Sequence, residues 1–154
     1  MRLMPLIRAA GAALILTVSI TPALPVDTGG DSGSSSSQPS VPTLDDARAD
    51  IAAKDWQAAI AKLSKIIKAK PSSADAYNLL GYALRNAGNL DRAMQAYNKA
   101  LSLNPKHTGA LEYQGVLFVM LGEVDKAKDN LARIKDICGT SCEEYEDLAE
   151  AIDG

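Results

Sequence analysis

The chain is short of nearly everything that catalysis, metal binding or nucleic-acid binding draws on. Its 154 residues hold one histidine, His107, and two cysteines. Two thiols exclude a multi-bridge mini-protein and a four-thiolate zinc site. No G-x-S-x-G elbow, phosphate loop or H-E-x-x-H motif occurs. Aromatic residues are 5% of the chain, and 19 acidic against 16 basic residues leave a net charge of -3. That balance argues against nucleic acid as a partner, because displacing counterions needs a basic face. Eleven glycines and seven prolines rule out a collagen-like or proline-rich array. What remains is apolar: 47% of the residues, enough to build the core of one modest domain and too much for a disordered chain.

The candidates for chemistry are few. His107 stands just after Pro105 at a helix-start turn, where a solvated turn or cap role fits better than a ligand or a general base. The acidic pairs Asp45-Asp46 and Glu143-Glu144 fall in first turns of helices, where they complement the helix dipole rather than form a paired-carboxylate active site. No catalytic residue, metal ligand or cofactor is therefore assigned, and the chain is expected not to be an enzyme.

Residues 1–23 read as an address. Arg2 and Arg8 mark a basic start, Ala9 to Ile20 form an uncharged run of 12 residues, and Thr21-Pro22-Ala23 supplies a small residue before a cut. A bilayer span needs roughly 20 apolar residues, so the run suits a secretory signal peptide cleaved near Ala23. An uncleaved membrane anchor is the alternative. Without residues 1–23 the chain keeps 14 basic and 19 acidic residues, a charge of -5. Residues 24–42 follow as a Gly/Ser/Pro-rich linker with nothing to bury, either a spacer or an unstructured remnant.

From residue 43 onward the sequence repeats every 34 residues. Pro71 recurs as Pro105, Gly81 as Gly115 and Gly88 as Gly122; Ala59, Ala93 and Ala127 are equally spaced, as are Leu63, Tyr97 and Leu131, and Ile66, Ala100 and Ile134. Each unit decodes as two helices. In residues 74–107, Tyr77, Leu80, Gly81 and Leu84 form one helical stripe; Gly88 stops the helix and Asn89 is placed to cap the next. Ala93, Tyr97 and Ala100 form the second stripe, ended by Pro105. Gly81 and Ala93 are read as small because two helix backbones approach closely there.

The pattern Tyr77, Leu80-Gly81, Leu84, Ala93, Tyr97, Ala100, Pro105 resembles the tetratricopeptide repeat. Residues 108–141 fit through Leu111, Gly115, Phe118, Ala127, Leu131 and Ile134, with Gly139 in place of the terminal proline. Residues 40–73 fit in their second half only. Asp46 and Asp50 stand where Leu80 and Leu84 stand one unit later, so the helix from about Thr43 to Ala53 is a degenerate edge helix with a polar outer face. A last helix over residues 142–152 carries Tyr145, Leu148, Ala149 and Ile152 on one face, and Ser141 with Glu144 suggests a capping box at its start. The expected fold is an all-α solenoid of about three repeats closed by a C-terminal capping helix, spanning residues 43–154.

Cys138 and Cys142 flank a glycine turn, and an exported chain meets an oxidising compartment, so a structural disulfide is expected. A thiol-redox or copper-handling pair, or two free buried thiols, remain as alternatives. The ending CGTSCEEYEDL is also similar to the close of small exported tetratricopeptide proteins of proteobacteria, which implies the periplasm of a Gram-negative bacterium and a stapled cap.

The family resemblance further implies a concave groove, lined by the first helix of each unit, that takes a peptide or extended partner segment. Carried over position by position, the groove residues are Asn78, Tyr82, Arg85 and Asn86 in the second unit and Glu112, Val116, Val119 and Met120 in the third. Leu79 occupies the place where a clamp for an acidic chain end would need asparagine, so that clamp is not expected. Val116, Val119 and Met120 equally suit a purely structural role under a neighbouring helix. The expected function is an exported interaction module for another protein, meeting the membrane only in transit through the signal peptide. The alternatives are the thiol or copper role and a self-assembling element.

Overall fold

A computed structural model describes residues 40–154, so the expected address and nearly all of the linker lie outside the described residues. Seven helices follow in order: α1 (Leu44–Ala52), α2 (Trp56–Ala69), α3 (Ala74–Asn86), α4 (Leu90–Leu103), α5 (Thr108–Met120), α6 (Val124–Cys138) and α7 (Glu143–Asp153). No strand occurs among the described residues, and none of their helices is long and apolar enough to cross a membrane.

Three turns of one geometry generate the helix pairs. Lys54, Gly88 and Gly122 have φ of 59°, 81° and 76° and sit in the same register of the repeat. The residue after each donates its N–H back to a carbonyl five positions earlier: Asp55 to Asp50 at 2.9 Å, Asn89 to Leu84 at 2.8 Å, and Glu123 to Phe118 at 2.8 Å. This is the hydrogen bond that closes a helix through a left-handed residue. Two turns use glycine, which adopts that backbone freely; the first uses a lysine, for which it is strained.

Helix starts are less uniform. Asp55 Oδ1 accepts from the Ala58 N–H at 3.0 Å, and Ser73 Oγ from the Ala76 N–H at 3.3 Å. Asn89 takes the N-cap position but does not cap with its side chain, which donates instead to the Ala87 carbonyl at 3.4 Å. The expected Ser141/Glu144 capping box does not form. Cys142 is the N-cap of α7, and the Glu144 carboxylate is taken by the Thr108 hydroxyl of α5 at 2.7 Å. A capping box forms instead at α1, where Asp46 accepts from the Thr43 backbone at 2.8 Å while Thr43 accepts from Asp46. Those bonds hold the Asp46 carboxyl below its usual value.

The helices pair as α1/α2, α3/α4 and α5/α6, and each pair stacks on the next. Along the stack α1 touches α3, α3 touches α5 and α5 touches α7, whereas α2, α4 and α6 do not touch one another. The first helices of the units therefore lie on the inner, more tightly packed side of a curved solenoid. The core is built largely from alanine: Ala47, Ala59, Ala76 and Ala83 surround Leu63 in the first layer, and Ala93 and Ala96 lie beside Tyr97, Leu84 and Leu117 in the second.

At Gly81 the close neighbour is a ring, not a second backbone as the sequence suggested. A Cβ at Gly81 would lie 2.6 Å from Tyr97 Cδ1, and one at Gly115 would lie 2.6 Å from the methyl groups of Leu148. The two glycines thus receive different partners: a tyrosine from the same unit, and a leucine from the capping helix. Leu148 joins Leu111 and Ile134 in a third apolar cluster, against which Leu131, Tyr145 and Ile152 pack.

Candidate partner-binding groove

The inner face at α3 and α5 carries a row of aromatic rings. Trp56 at the start of α2 meets Tyr82 of α3 edge-on, with centroids 6.2 Å apart. Tyr82 lies 4.8 Å from Tyr113 of α5, and Tyr113 lies 6.5 Å from the buried ring of Tyr97. Over this row sits Arg85, its guanidinium 5.4 Å from the Tyr82 centroid and 5.7 Å from that of Tyr113. Such stacking holds a planar cation while leaving its in-plane N–H donors free. Arg85 forms no ion pair with any described residue.

Two buried polar groups lie on the same helices. Asn78 is only 7% exposed, and its Oδ1 has no hydrogen-bond partner. Its amide nitrogen would be 3.3 Å from a Cβ at Gly109, which places it where α3 meets the start of α5. Glu112 is 8% exposed. Burial above all, then Asp147 and Glu144 of α7, pushes its carboxyl up to about 8, while Arg85 pulls the other way. Burial also raises the Tyr113 phenol to about 12.

The frame around these groups is firmly tied. His107 caps α5, its Nδ1 accepting from the Ala110 N–H at 3.2 Å, and its Nε2 lies 3.1 Å from Asp75 of α3. The histidine therefore joins the two groove helices at their starts. On the other side of α5, Gln114 donates to Asn98 of α4 at 2.7 Å and accepts from Asn130 of α6 at 3.1 Å. Asn130 also donates to the Leu111 carbonyl at 3.0 Å. This polar chain, buried at Gln114 and Asn130 and exposed at Asn98, ties α4, α5 and α6 together.

The residues carried over as a groove are distributed unevenly. Asn78, Tyr82, Arg85 and Glu112 come together on α3 and α5. Asn86 is exposed at the end of α3 and donates to the Tyr82 carbonyl at 2.8 Å. Val116 packs into the cluster of Leu111, Ile134 and Leu148 beneath α7. Val119 is half-buried, and Met120 is 56% exposed at the end of α5. The sequence reading missed Trp56 and Tyr113. Tyr113 lies 34 residues after Leu79, so the register inspected in the second unit points directly to it in the third. The cysteines form a disulfide, with Cα atoms 6.1 Å apart, joining the end of α6 to the start of α7.

The tetratricopeptide-repeat family matches residues 44–108, less than half of the chain. No curated protein matches the sequence. Solved structures do. The chain is 19% identical to the TPR2B domain of yeast Sti1 in its complex with pHsp70, with a TM-score of 0.63 over 71% of this chain and 92% of that one. It is 25% identical to MamA, with a TM-score of 0.61 over 70% of this chain and 63% of that one. It is 14% identical to the Yersinia enterocolitica type III secretion chaperone SycD in complex with a peptide of the translocator YopD, with a TM-score of 0.60 over 70% of this chain and 81% of that one. Together with the helix pairing described above, these similarities establish that residues 43–154 have the tetratricopeptide-repeat fold, closed by a terminal capping helix.

Proposed function

We propose that the domain is a non-catalytic adaptor that binds an extended segment of another protein along the inner face of α3 and α5, and that it works in the periplasm. The observation that carries this reading is Arg85: a guanidinium stacked on Tyr82 and Tyr113, without an acidic partner among the described residues. A partner segment that offers a carboxylate there and lays an apolar side chain on the Trp56 and Tyr82 rings would satisfy both kinds of surface. The orphan Asn78 Oδ1 is an acceptor suited to a backbone N–H of the same segment. Tyr, Trp and Arg are the residue types that dominate binding energy in interfaces of this kind. The partner-bound forms of Sti1 and SycD, which share the fold, support a peptide as the ligand class. The periplasmic assignment rests on the signal-like residues 1–23.

The test begins with peptides selected on the purified chain from a displayed library. Binding of the best peptide is then measured for the wild type, Arg85→Ala, Tyr113→Ala and Asn78→Ala. Losing an anchor worth about 2 kcal/mol weakens binding about 30-fold. Unchanged affinity in all three variants would discard the inner face as the site. Cell fractionation with N-terminal sequencing checks the compartment; a mature protein starting near Leu24 in the periplasm is the expected result.

A further inference from the structure

The cysteine pair is the motif that the groove leaves unused. Cys138 ends α6, Cys142 is the N-cap of α7, and Gly139 turns the chain between them with φ of 86°. Beside the two sulfurs stands the carboxylate of Glu144. One ligand atom from each of Cys138, Cys142 and Glu144 lies within 4.8 Å of the other two. The carboxylate is also aimed: the Thr108 hydroxyl, reaching over from α5, donates to Glu144 Oε1 at 2.7 Å. Carboxylates that ligate a metal are themselves held by hydrogen bonds from groups behind them.

We propose that the reduced protein binds a zinc-like divalent ion through Cys138, Cys142 and Glu144, with Thr108 as the positioning residue. Two sulfurs bound tetrahedrally to zinc at about 2.3 Å stand roughly 3.8 Å apart. Side chains rooted 6.1 Å apart reach that spacing by rotating about their Cα–Cβ bonds, with the backbone in place. Two thiolates and one carboxylate form a borderline donor set that zinc accepts, leaving a fourth position open to water. A copper(I) ion would take the sulfurs and leave the carboxylate idle. The first turn of α7 carries Glu143, Glu144 and Glu146 and no basic residue. That charge attracts a cation.

The site is gated by oxidation. In the disulfide neither sulfur is an anionic ligand. An external dithiol breaks the S–S bond, passing two electrons and two protons to the cysteines while itself becoming a disulfide. Metal binding then releases two protons and forms two metal–sulfur bonds and one metal–oxygen bond. An external disulfide takes two electrons from the thiolates and two protons from water to become a dithiol, which restores the Cys138–Cys142 bond and ejects the ion. In both states α6 stays tied to α7, so the cap is held whether the pair is oxidised or metallated.

The experiment uses the full chain, reduced anaerobically with a phosphine. Zn2+ is titrated in competition with a chromophoric chelator, and Co2+ serves as the spectroscopic probe. One ion per chain is expected, with the visible bands of tetrahedral cobalt and a thiolate-to-cobalt charge-transfer band. Glu144→Gln keeps an acceptor for Thr108, so the cap stays seated; it is expected to weaken Zn2+ binding about 10- to 100-fold, and Thr108→Val by a similar factor. The oxidised chain should bind no Zn2+. Far-UV circular dichroism shows whether each variant is folded. Absence of a one-to-one Zn2+ complex, affinity unchanged in folded Glu144→Gln, or retention of copper(I) alone would each overturn the proposal.

Discussion

Helices α1 and α7 both close an open end of the helix stack, yet they do it by different means. α1 buries only Ala47 completely, and its ties are polar: the Thr43/Asp46 capping box and an ion pair between Asp50 and Lys62 at 2.8 Å. α7 drives Leu148 fully into the gap above Gly115 and is fastened twice more, by Thr108 to Glu144 and by the disulfide. One end is held by polar contacts, an exposed capping box and a part-buried ion pair, of which salt and water weaken the exposed part. The other is held by packing and a covalent bond. What each covers also differs: α1 lies over a cluster in which Ala59, Ala76 and Ala83 sit beside Leu63 and Ile66, while α7 must roof the wholly apolar pair of Leu111 and Ile134. The strong end is also the end beside Glu112, so the rigid closure borders the proposed binding face.

The sharpest way to break this contrast is to empty the roof. Leu148→Ala should cost about 3 kcal/mol, the range for a fully buried leucine, and Leu44→Ala at the half-buried opposite end about 1 kcal/mol. Urea denaturation of the two variants measures the difference. Similar losses at both ends would erase the distinction.

Next in size is a pH effect at Glu112. Its carboxyl rises from 4.5 to about 8 on folding. Below about pH 4.5 both the folded and unfolded states hold the proton, and the group contributes nothing. As pH climbs toward 8 the unfolded chain has released the proton and the folded chain has not, so stability falls, by a few kcal/mol in all. Glu112→Gln should therefore match the wild type near pH 4 and exceed it at pH 8. Denaturation midpoints at both pH values provide the check, and equal midpoints at pH 8 would show that burial does not penalise this carboxylate.

Removing the staple comes third. Cys138→Ser with Cys142→Ser should lower stability by about 2 kcal/mol, the modest value for so short a loop. Hydrogen exchange should show the loss at the α6–α7 junction and leave α1 unchanged. The smallest effect is a gain: Lys54→Gly relieves a left-handed lysine at φ of 59° and should stabilise the weak end by about 0.5–1 kcal/mol, read from the thermal midpoint.

The 34-residue period made most of the architecture legible. It marked the paired helices, the glycine turns at Gly88 and Gly122, the buried series Ala59, Ala93 and Ala127, and the edge character of α1. The candidate site was less legible, for a physical reason. α5 reads TGALEYQGVLFVM, apolar nearly all round, because α3 and α4 pack on one side of it and α6 and α7 on the other. A helix covered on several sides shows no single stripe, so the pattern could not say that Val116 goes under α7 while Tyr113 turns toward Tyr82. Trp56 was hidden for another reason: it begins a second helix, and the groove was sought on first helices alone. The capping box at Ser141 failed because the pattern is local and the competing partner, Thr108, lies 36 residues away.

The proposed binding face is tested most directly by amide chemical-shift mapping of the labelled chain while a library-selected peptide is added. The account predicts that the largest shifts cluster around Asn78, Tyr82, Arg85 and Tyr113 and that Arg85→Ala suppresses them. Shifts confined to α4 and α6, on the outer side of the solenoid, would contradict it.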